Sequence, residues 1–311
     1  MENLGVFTDT RSLRFERRLP GRADDVWRYL TEPERTAPWR ARSEFEPRVG
    51  GAVVVHFEEI DPAHSPLRGV VTAWEPNRRL AYAWPEQDAK VDKDEVRFEL
   101  TPEGDETQLV LTHALSPFAS WMASGWHASL DALALAVAGG GPAEARAVRD
   151  PSPELNEAYA ELHRQARAEK PGAYLKDLFQ ATPFHAHLGL EMTEITTEKV
   201  SVRVRKTGDL TLAGGALHGG VLAAMVDSLG AFHAGMAAQR RLNEAGDKSD
   251  NRPFGLRTLG LNVDYLRPLR GDVFTATTTT LHVGSNVIRL RGEVTDGEGA
   301  MVAAASVSFA Y

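Results

Sequence analysis

One run constrains this chain more than any other: VLAAMVDSLGAFHAGMAA, residues 221–238. Its side chains are small and apolar nearly throughout. It includes Gly230 and Gly235, and each such glycine costs a solvated helix about 1 kcal/mol relative to alanine. A helix that is apolar on every side is expected to be buried on every side. In its middle stands Asp227. An ionised carboxylate buried without partners costs several kcal/mol, so this one is expected to be paired, protonated or used. The stretch Gly214-Gly215-Ala216-Leu217-His218-Gly219-Gly220 opens the helix, which is expected to run from Val221 to about Arg240. At the helical repeat, Asp227 lies about 700° beyond Gly220, within about 20° of two full turns. One stripe therefore joins a helix N-terminus, whose free amides favour negative charge, to an acid two turns further on. Thioester hydrolysis needs that pair: donors for a developing oxyanion, and a carboxylate that activates water or attacks the carbonyl. The residues alone leave a second reading open, in which Asp227 is a structural acid bonded to backbone or arginine and His218 only caps the helix.

The rest of the second half supplies strands. Val200, Val202 and Val204 alternate with Ser201, Arg203 and Arg205, and strand patterns follow over Gly255–Leu266, Asp272–Val283, Val287–Thr295 and Met301–Phe309. A short helix is expected over Tyr174–Gln180. The expected arrangement is a curved antiparallel sheet wrapped around one central helix.

The first half reads differently. A short helix over Arg22–Leu30 precedes strand-like runs at Ala52–Glu58, Gly69–Trp74, Arg79–Trp84, Glu95–Leu100 and Gln108–His113. A long helix from about Ser120 to Val137 closes the unit. One helix gripped by an antiparallel sheet leaves room for an apolar ligand. The tryptophans Trp27, Trp39, Trp74, Trp84, Trp121 and Trp126 all fall here and read as core and cavity wall. His113 and His127 read as satisfied packing residues. Breaks at Gly139-Gly140-Gly141-Pro142, Asp150-Pro151-Ser152-Pro153 and Lys170-Pro171-Gly172 flank a helix-like Glu154–Ala168. The expected division is a first domain over 1–165, a linker over 166–173 and a second domain over 174–311. Charge agrees with this division: residues 1–165 hold 19 basic and 28 acidic side chains, the remainder 16 and 15. A net charge of -8 argues against nonspecific nucleic-acid binding. The absence of cysteine removes thiolate nucleophiles and thiolate metal sites. No signal-like leader or membrane span is evident, so a cytoplasmic protein is expected.

Two resemblances sharpen these readings. Val26-Trp27, Leu30-Thr31, Trp39, Gly50-Gly51, Trp74-Glu75-Pro76, Arg79-Leu80, Phe98-Glu99-Leu100-Thr101, Thr112-His113 and Gly125-Trp126 resemble the START-like helix-grip (SRPBCC) superfamily, nearest the homologues of the heat-shock ATPase activator. Members of that superfamily share no catalytic set, so an accessory domain that takes an apolar ligand or regulates is implied. Leu217-His218-Gly219-Gly220 with Asp227 seven residues beyond Gly220, preceded by Pro183-Phe184 and Leu188-Gly189-Leu190 and followed by Leu261-Asn262-Val263-Asp264-Tyr265-Leu266-Arg267-Pro268, is similar to the hotdog-fold acyl-CoA thioesterases of the PaaI type. The implied fold class is α+β, a helix-grip domain followed by a hotdog domain.

That second resemblance implies roles. Asp227 becomes base or nucleophile, Gly219 the oxyanion donor through its amide, and His218 the group that positions the thioester. Gly220 lies beside them. Asp and His-Gly-Gly come from different subunits in that family, which implies a homodimer or a dimer of dimers. No cofactor is implied, because coenzyme A enters as part of the substrate. Arg267, Arg270, Arg289 and Arg291 are the candidates for its phosphates. Six residues before the motif histidine the family carries Asn or Gln, whereas Leu212 stands here. Thr211 or Asp209 is a candidate substitute. Leu242–Pro253 reads as an insertion, with Ser249 a candidate to orient water. Without turnover, the same residues describe a lipid or acyl-CoA binding protein. A metal site from His218, Asp227 and His233 is disfavoured, and no metal is expected. His185-Ala186-His187 reads as a solvated loop pair.

Overall fold

The structure is a computed structural model that describes residues 3–9, 12–84, 94–114, 120–245 and 256–311. The chain divides into two compact units, Met1–Leu178 and Phe179–Tyr311.

The N-terminal unit holds strands β1 (Val6–Phe7), β2 (Ser12–Pro20), β3 (Ser43–Phe45), β4 (Ala52–Val55), β5 (Leu67–Glu75), β6 (Arg79–Trp84), β7 (Asp94–Glu103) and β8 (Glu106–Ala114). They form one antiparallel sheet in the order β1-β2-β8-β7-β6-β5-β4-β3. Helices α1 (Ala23–Thr31) and α2 (Pro33–Thr36) follow β2. α3 (Ser120–Val137), α4 (Pro142–Val148) and α5 (Pro153–Glu169) follow β8, and α6 (Pro171–Gln180) carries the boundary between the units. The stretch 166–173, expected as a linker, is taken up by the end of α5 and the start of α6.

Strand alternation decides the packing of this unit. In β2, Leu13, Phe15, Arg17 and Leu19 are buried, whereas Glu16 and Arg18 are exposed. α1 uses Val26, Trp27 and Leu30 as its buried face. α3 lies against β2, α1, α4 and α5, and one core runs from Leu13 to Tyr159. This is the expected helix-grip arrangement. The sequence reading missed β1, β3, α2 and α4, each short or, like α4, started by Pro142 just past a glycine run. Trp27, Trp39 and Trp126 are buried and Trp74 packs on the same core, while the side chains of Trp84 and Trp121 lie outside those described.

The two core histidines differ from one another. His127 has both nitrogens engaged, Nδ1 with the Tyr159 hydroxyl at 2.9 Å and Nε2 with Asp131 at 3.2 Å. His113 does not fit the satisfied packing residue expected of it. Its Nδ1 accepts from Trp126 Nε1–H at 2.8 Å, but its Nε2 is buried with no hydrogen-bond partner.

The C-terminal unit starts with α7 (Pro183–Leu188), whose His185 is buried, stacked on Phe179 at 4.0 Å and bonded through Nδ1 to the Phe179 carbonyl. The expected solvated loop pair is therefore a helical pair with one member in the core. Then come β9 (Glu191–Ile195), β10 (Lys199–Arg205), the long helix α8 (Gly219–Glu244), β11 (Arg257–Tyr265), β12 (Val273–Val283), β13 (Val287–Asp296) and β14 (Met301–Ala310). The sheet is antiparallel, in the order β11-β14-β13-β12-β10-β9. α8 lies against β10 through β14, giving the expected hotdog arrangement.

α8 corrects one expectation. Leu222, Met225, Val226 and Leu229 are buried on the sheet, yet Ala223, Ala224, Asp227, Ser228 and Ala231 are only half-buried and Gly220 is exposed. Within its own unit the helix is apolar all round but covered on one side. Gly230 explains how closely the covered side approaches: a Cβ built there meets Phe309 and Val307 at 3.0 Å. α8 is also the one helix among the described residues that is long and apolar enough to cross a bilayer, and more than half of that stretch is buried inside the unit.

Two outcomes are expected. Gly230→Val overpacks the contact with β14 and lowers unfolding free energy by about 1–3 kcal/mol in denaturant melts. Burial, aided by the charge of Arg40, pushes His113 down to about 3. The folded unit thus keeps this ring neutral while the unfolded chain protonates it below its ordinary value near 6.5. Stability is complete above that pH and is lost as pH falls toward 3, by up to about 1.4 kcal/mol per pH unit for one proton. Between pH 6.5 and 5, the wild type should lose stability relative to His113→Gln with that slope.

Candidate active site

The segment that leads into α8 is held by a series of backbone hydrogen bonds. Thr211 bridges Leu217, Leu212 N–H donates to Ala216 O and Gly215 N–H to Leu212 O, and Gly215 takes φ +77° in the turn. Leu217 N–H then bonds Leu269 O, and His218 N–H bonds Leu210 O, both at 2.8 Å. The next amide, that of Gly219, opens the helix without an acceptor among the described residues, as the first turn of a helix requires.

His218 caps this helix through its side chain: Nδ1 accepts the Gly220 amide at 2.9 Å. The Gly220 N–H is thereby occupied. An imidazole whose Nδ1 accepts carries its proton on Nε2 when neutral, so the exposed ring of His218 presents an N–H outward. On the other side, the Tyr265 hydroxyl donates to Gly219 O at 2.8 Å. A Cβ on Gly219 would meet that ring at 3.1–3.3 Å, so the glycine is what lets tyrosine lie against the helix start.

Asp227 projects from the open face of α8. Its Oδ1 accepts from Thr258 Oγ1 at 2.9 Å, across to β11. No arginine pairs with it among the described residues. Along the helix axis it stands about 12 Å from Gly219 at 1.5 Å per residue. One protomer does not bring both groups to a single carbonyl, which would need approach to about 3–3.5 Å.

The remaining candidates are dispersed. Leu212 is 49% exposed in the turn and offers no polar group. Thr211 donates its hydroxyl to Gly208 O at 2.8 Å, and Asp209 accepts from Thr207 at 2.5 Å, so both serve the loop's own turn. Ser249 and most of the 242–253 stretch lie outside the described residues. Arg267 and Arg270 are exposed in the β11–β12 connection, beside the Leu269 carbonyl that holds Leu217. Arg289 and Arg291 alternate with the buried Ile288 and Leu290, which puts them on the sheet face turned away from α8. Arg291 pairs with Glu293 at 2.9 Å. His233 is fully buried, with Nδ1 on Thr278 at 2.9 Å and Nε2 on Thr280 at 3.2 Å, and burial pushes its pKa down. Both its nitrogens are thus engaged within the core. Thr258 and Tyr265 are the site residues that sequence reasoning did not single out. Tyr265 lay inside the quoted Leu261–Pro268 segment, whereas nothing about Thr258 in a strand marks it as a partner of Asp227.

Comparison with known proteins places both halves. Residues 21–138 match the model of activator of Hsp90 ATPase homolog 1-like proteins, and residues 214–303 match that of the thioesterase superfamily. The medium/long-chain acyl-CoA thioesterase YigI of Escherichia coli (strain K12) is 32% identical over 130 residues, which span 41% of this chain and 84% of that protein. The protein of the same name from Salmonella typhimurium is 32% identical over 132 residues, with the same coverage. Among solved structures, a Shewanella oneidensis protein related to the thioesterase superfamily is 29% identical, with TM-score 0.39, covering 46% of this chain and 96% of that one. The chain that carries Asp227 and the His218-Gly219-Gly220 helix start belongs to the thioesterase superfamily, with a START-like domain of the Hsp90-activator-homologue type ahead of it.

Proposed function

We propose that this protein hydrolyses acyl-CoA thioesters of medium to long chain in the cytoplasm, and that its active site is shared between two copies of the chain. The observation that carries this reading is the separation of Asp227 from Gly219 along one helix, in a unit of the thioesterase superfamily whose α8 has an open face. β11 supports the pairing of copies. It is a nine-residue edge strand bonded, among the described residues, only to β14, and Leu259, Tyr265 and Leu266 on and beside it are more than half exposed. A long, apolar, unpaired edge is a template for another chain.

The chemistry follows from the groups. The Gly219 N–H, with the outward Nε2–H of His218, receives the thioester carbonyl oxygen, and the helix start favours the charge that develops there. Asp227 of the other copy, one oxygen tied by Thr258, takes a proton from water with its second oxygen. The water oxygen bonds to the carbonyl carbon, the C–S bond breaks, and the proton returns to the leaving thiolate. Products are a carboxylic acid and coenzyme A, and no cofactor is required. With Leu212 apolar, polarisation of the carbonyl rests on Gly219 and His218 alone. Arg267 and Arg270 flank the helix start and suit the phosphates of the coenzyme. Arg289, on the opposite sheet face, can serve a phosphate only across a dimer.

Two measurements test this. Thiol release from a panel of acyl-CoA substrates, free of background because the chain has no cysteine, should show kcat reduced by about 10² or more in Asp227→Asn and less in Thr258→Val. Full activity in Asp227→Asn removes the assignment. Mixing two inactive variants, Asp227→Asn and His218→Ala, after subunit exchange should restore about a quarter of wild-type activity, because half of the dimers then hold one intact site of two. No recovery on mixing rules out a shared site.

A further inference from the structure

Among the buried polar atoms of the N-terminal unit that have no hydrogen-bond partner, two are donors that lie against the same indole. Arg40 stacks its guanidinium over the face of Trp126, 3.5 Å from the ring centroid. Its Nε is buried and without a partner, and no carboxylate pairs with it among the described residues. Burial pushes its pKa down, as expected for a cation held in an apolar setting without a counter-charge. At the edge of that indole, Trp126 Nε1–H donates to His113 Nδ1. An indole nitrogen only donates, so His113 Nδ1 is an acceptor and the proton of the neutral ring sits on Nε2. That Nε2 is the second orphan, in a residue with no solvent exposure at all.

Both unmet groups are donors, and one belongs to a permanent cation. Buried donors are almost always paired, so the complement is an acceptor with negative charge. The surroundings define what that charge is attached to. From Trp126 a file of rings leads away: Phe98 at 5.9 Å, Tyr82 a further 6.5 Å, Phe45 at 5.6 Å and Trp74 at 6.1 Å. We infer that the N-terminal unit binds a monocarboxylate with an apolar body, its headgroup on Arg40 and His113 and its body along these rings. Phosphate esters fit less well, since a dianion would meet one cation and one neutral donor. The inference does not depend on the hydrolase reading, although the acid released from an acyl thioester belongs to this ligand class.

The test is titration of the full chain with decanoate, phenylacetate and decanamide, followed by calorimetry and tryptophan emission. At least one acid should bind and shift the emission, and decanamide should bind at least about tenfold more weakly than decanoate if the alkyl acid is the ligand. The stronger acid identifies the body as alkyl or aryl, and phenylacetamide supplies the matched neutral control for the aryl case. Arg40→Gln should abolish the preference for acid over amide while near-UV dichroism stays native. Arg40→Met, which keeps the packing on Trp126 and removes an unpaired buried cation, should melt higher than wild type without ligand. Equal binding of acid and amide overturns the inference, as does an acid preference that survives Arg40→Gln. No binding of either acid at millimolar concentration means that the two donors are merely hydrated, and overturns it as well. A preference lost in Asp227→Asn but kept in Arg40→Gln would assign the acid to the C-terminal unit instead.

Discussion

α8 can be buried by its own sheet on one side only, and the organisation of the C-terminal unit follows from that. Leu222, Met225, Val226 and Leu229 pack on the strands, with Gly230 allowing β14 to within contact of the helix backbone. The opposite stripe, Gly220, Ala223, Ala224, Asp227, Ser228 and Ala231, is composed as if for an interior. Small apolar side chains on an open face leave a cost that a second surface can offset by covering them. The same stripe carries Asp227, so covering it also encloses that carboxylate. Enclosure matters chemically, because donors aimed at an oxyanion are worth more where water is excluded.

The helix start is rigid for a related reason. Leu217 and His218 are held by Leu269 and Leu210 through their amides, His218 turns back on Gly220, and Tyr265 holds the Gly219 carbonyl. The groups on either side of the Gly219 amide have defined partners, while that amide has none among the described residues. Gly219 serves two demands at once: it lets Tyr265 approach, and it leaves the amide unobstructed by a side chain. The helix start is thus held mostly by backbone groups.

Much of this was legible from residues. The long apolar run of α8 and the two-residue alternation of β10 each reflect local rules, and the elements formed close to where those rules put them. Asp227 stood out because one stripe of a helix joined it to Gly220, and His218 and Gly219 because of the resemblance to the PaaI-type group. What stayed illegible was non-local. That α8 is covered on one side only depends on how many strands one unit can supply. The bond from Thr258 to Asp227 depends on the β11–β14 register, and the position of Arg289 on the far sheet face depends on which residues of β13 meet the core. His185 became a core residue because Pro183 starts a helix that turns it onto Phe179.

His113 shows the same limit in a more instructive form. A histidine in an apolar strand is rightly read as packing, and its ring does lie in the core. The sequence carries no sign that its single bond would be to an indole, which fixes the tautomer and leaves the other nitrogen with a proton and no acceptor. Nor does it show that Arg40, four residues past the end of α2, would stack on that same indole. A fold selected only for stability would replace such a pair with apolar groups of similar volume, since unpaired buried donors cost more than their packing returns. Their presence together, at the end of a file of aromatic rings within that core, is the cost that the proposed carboxylate would offset.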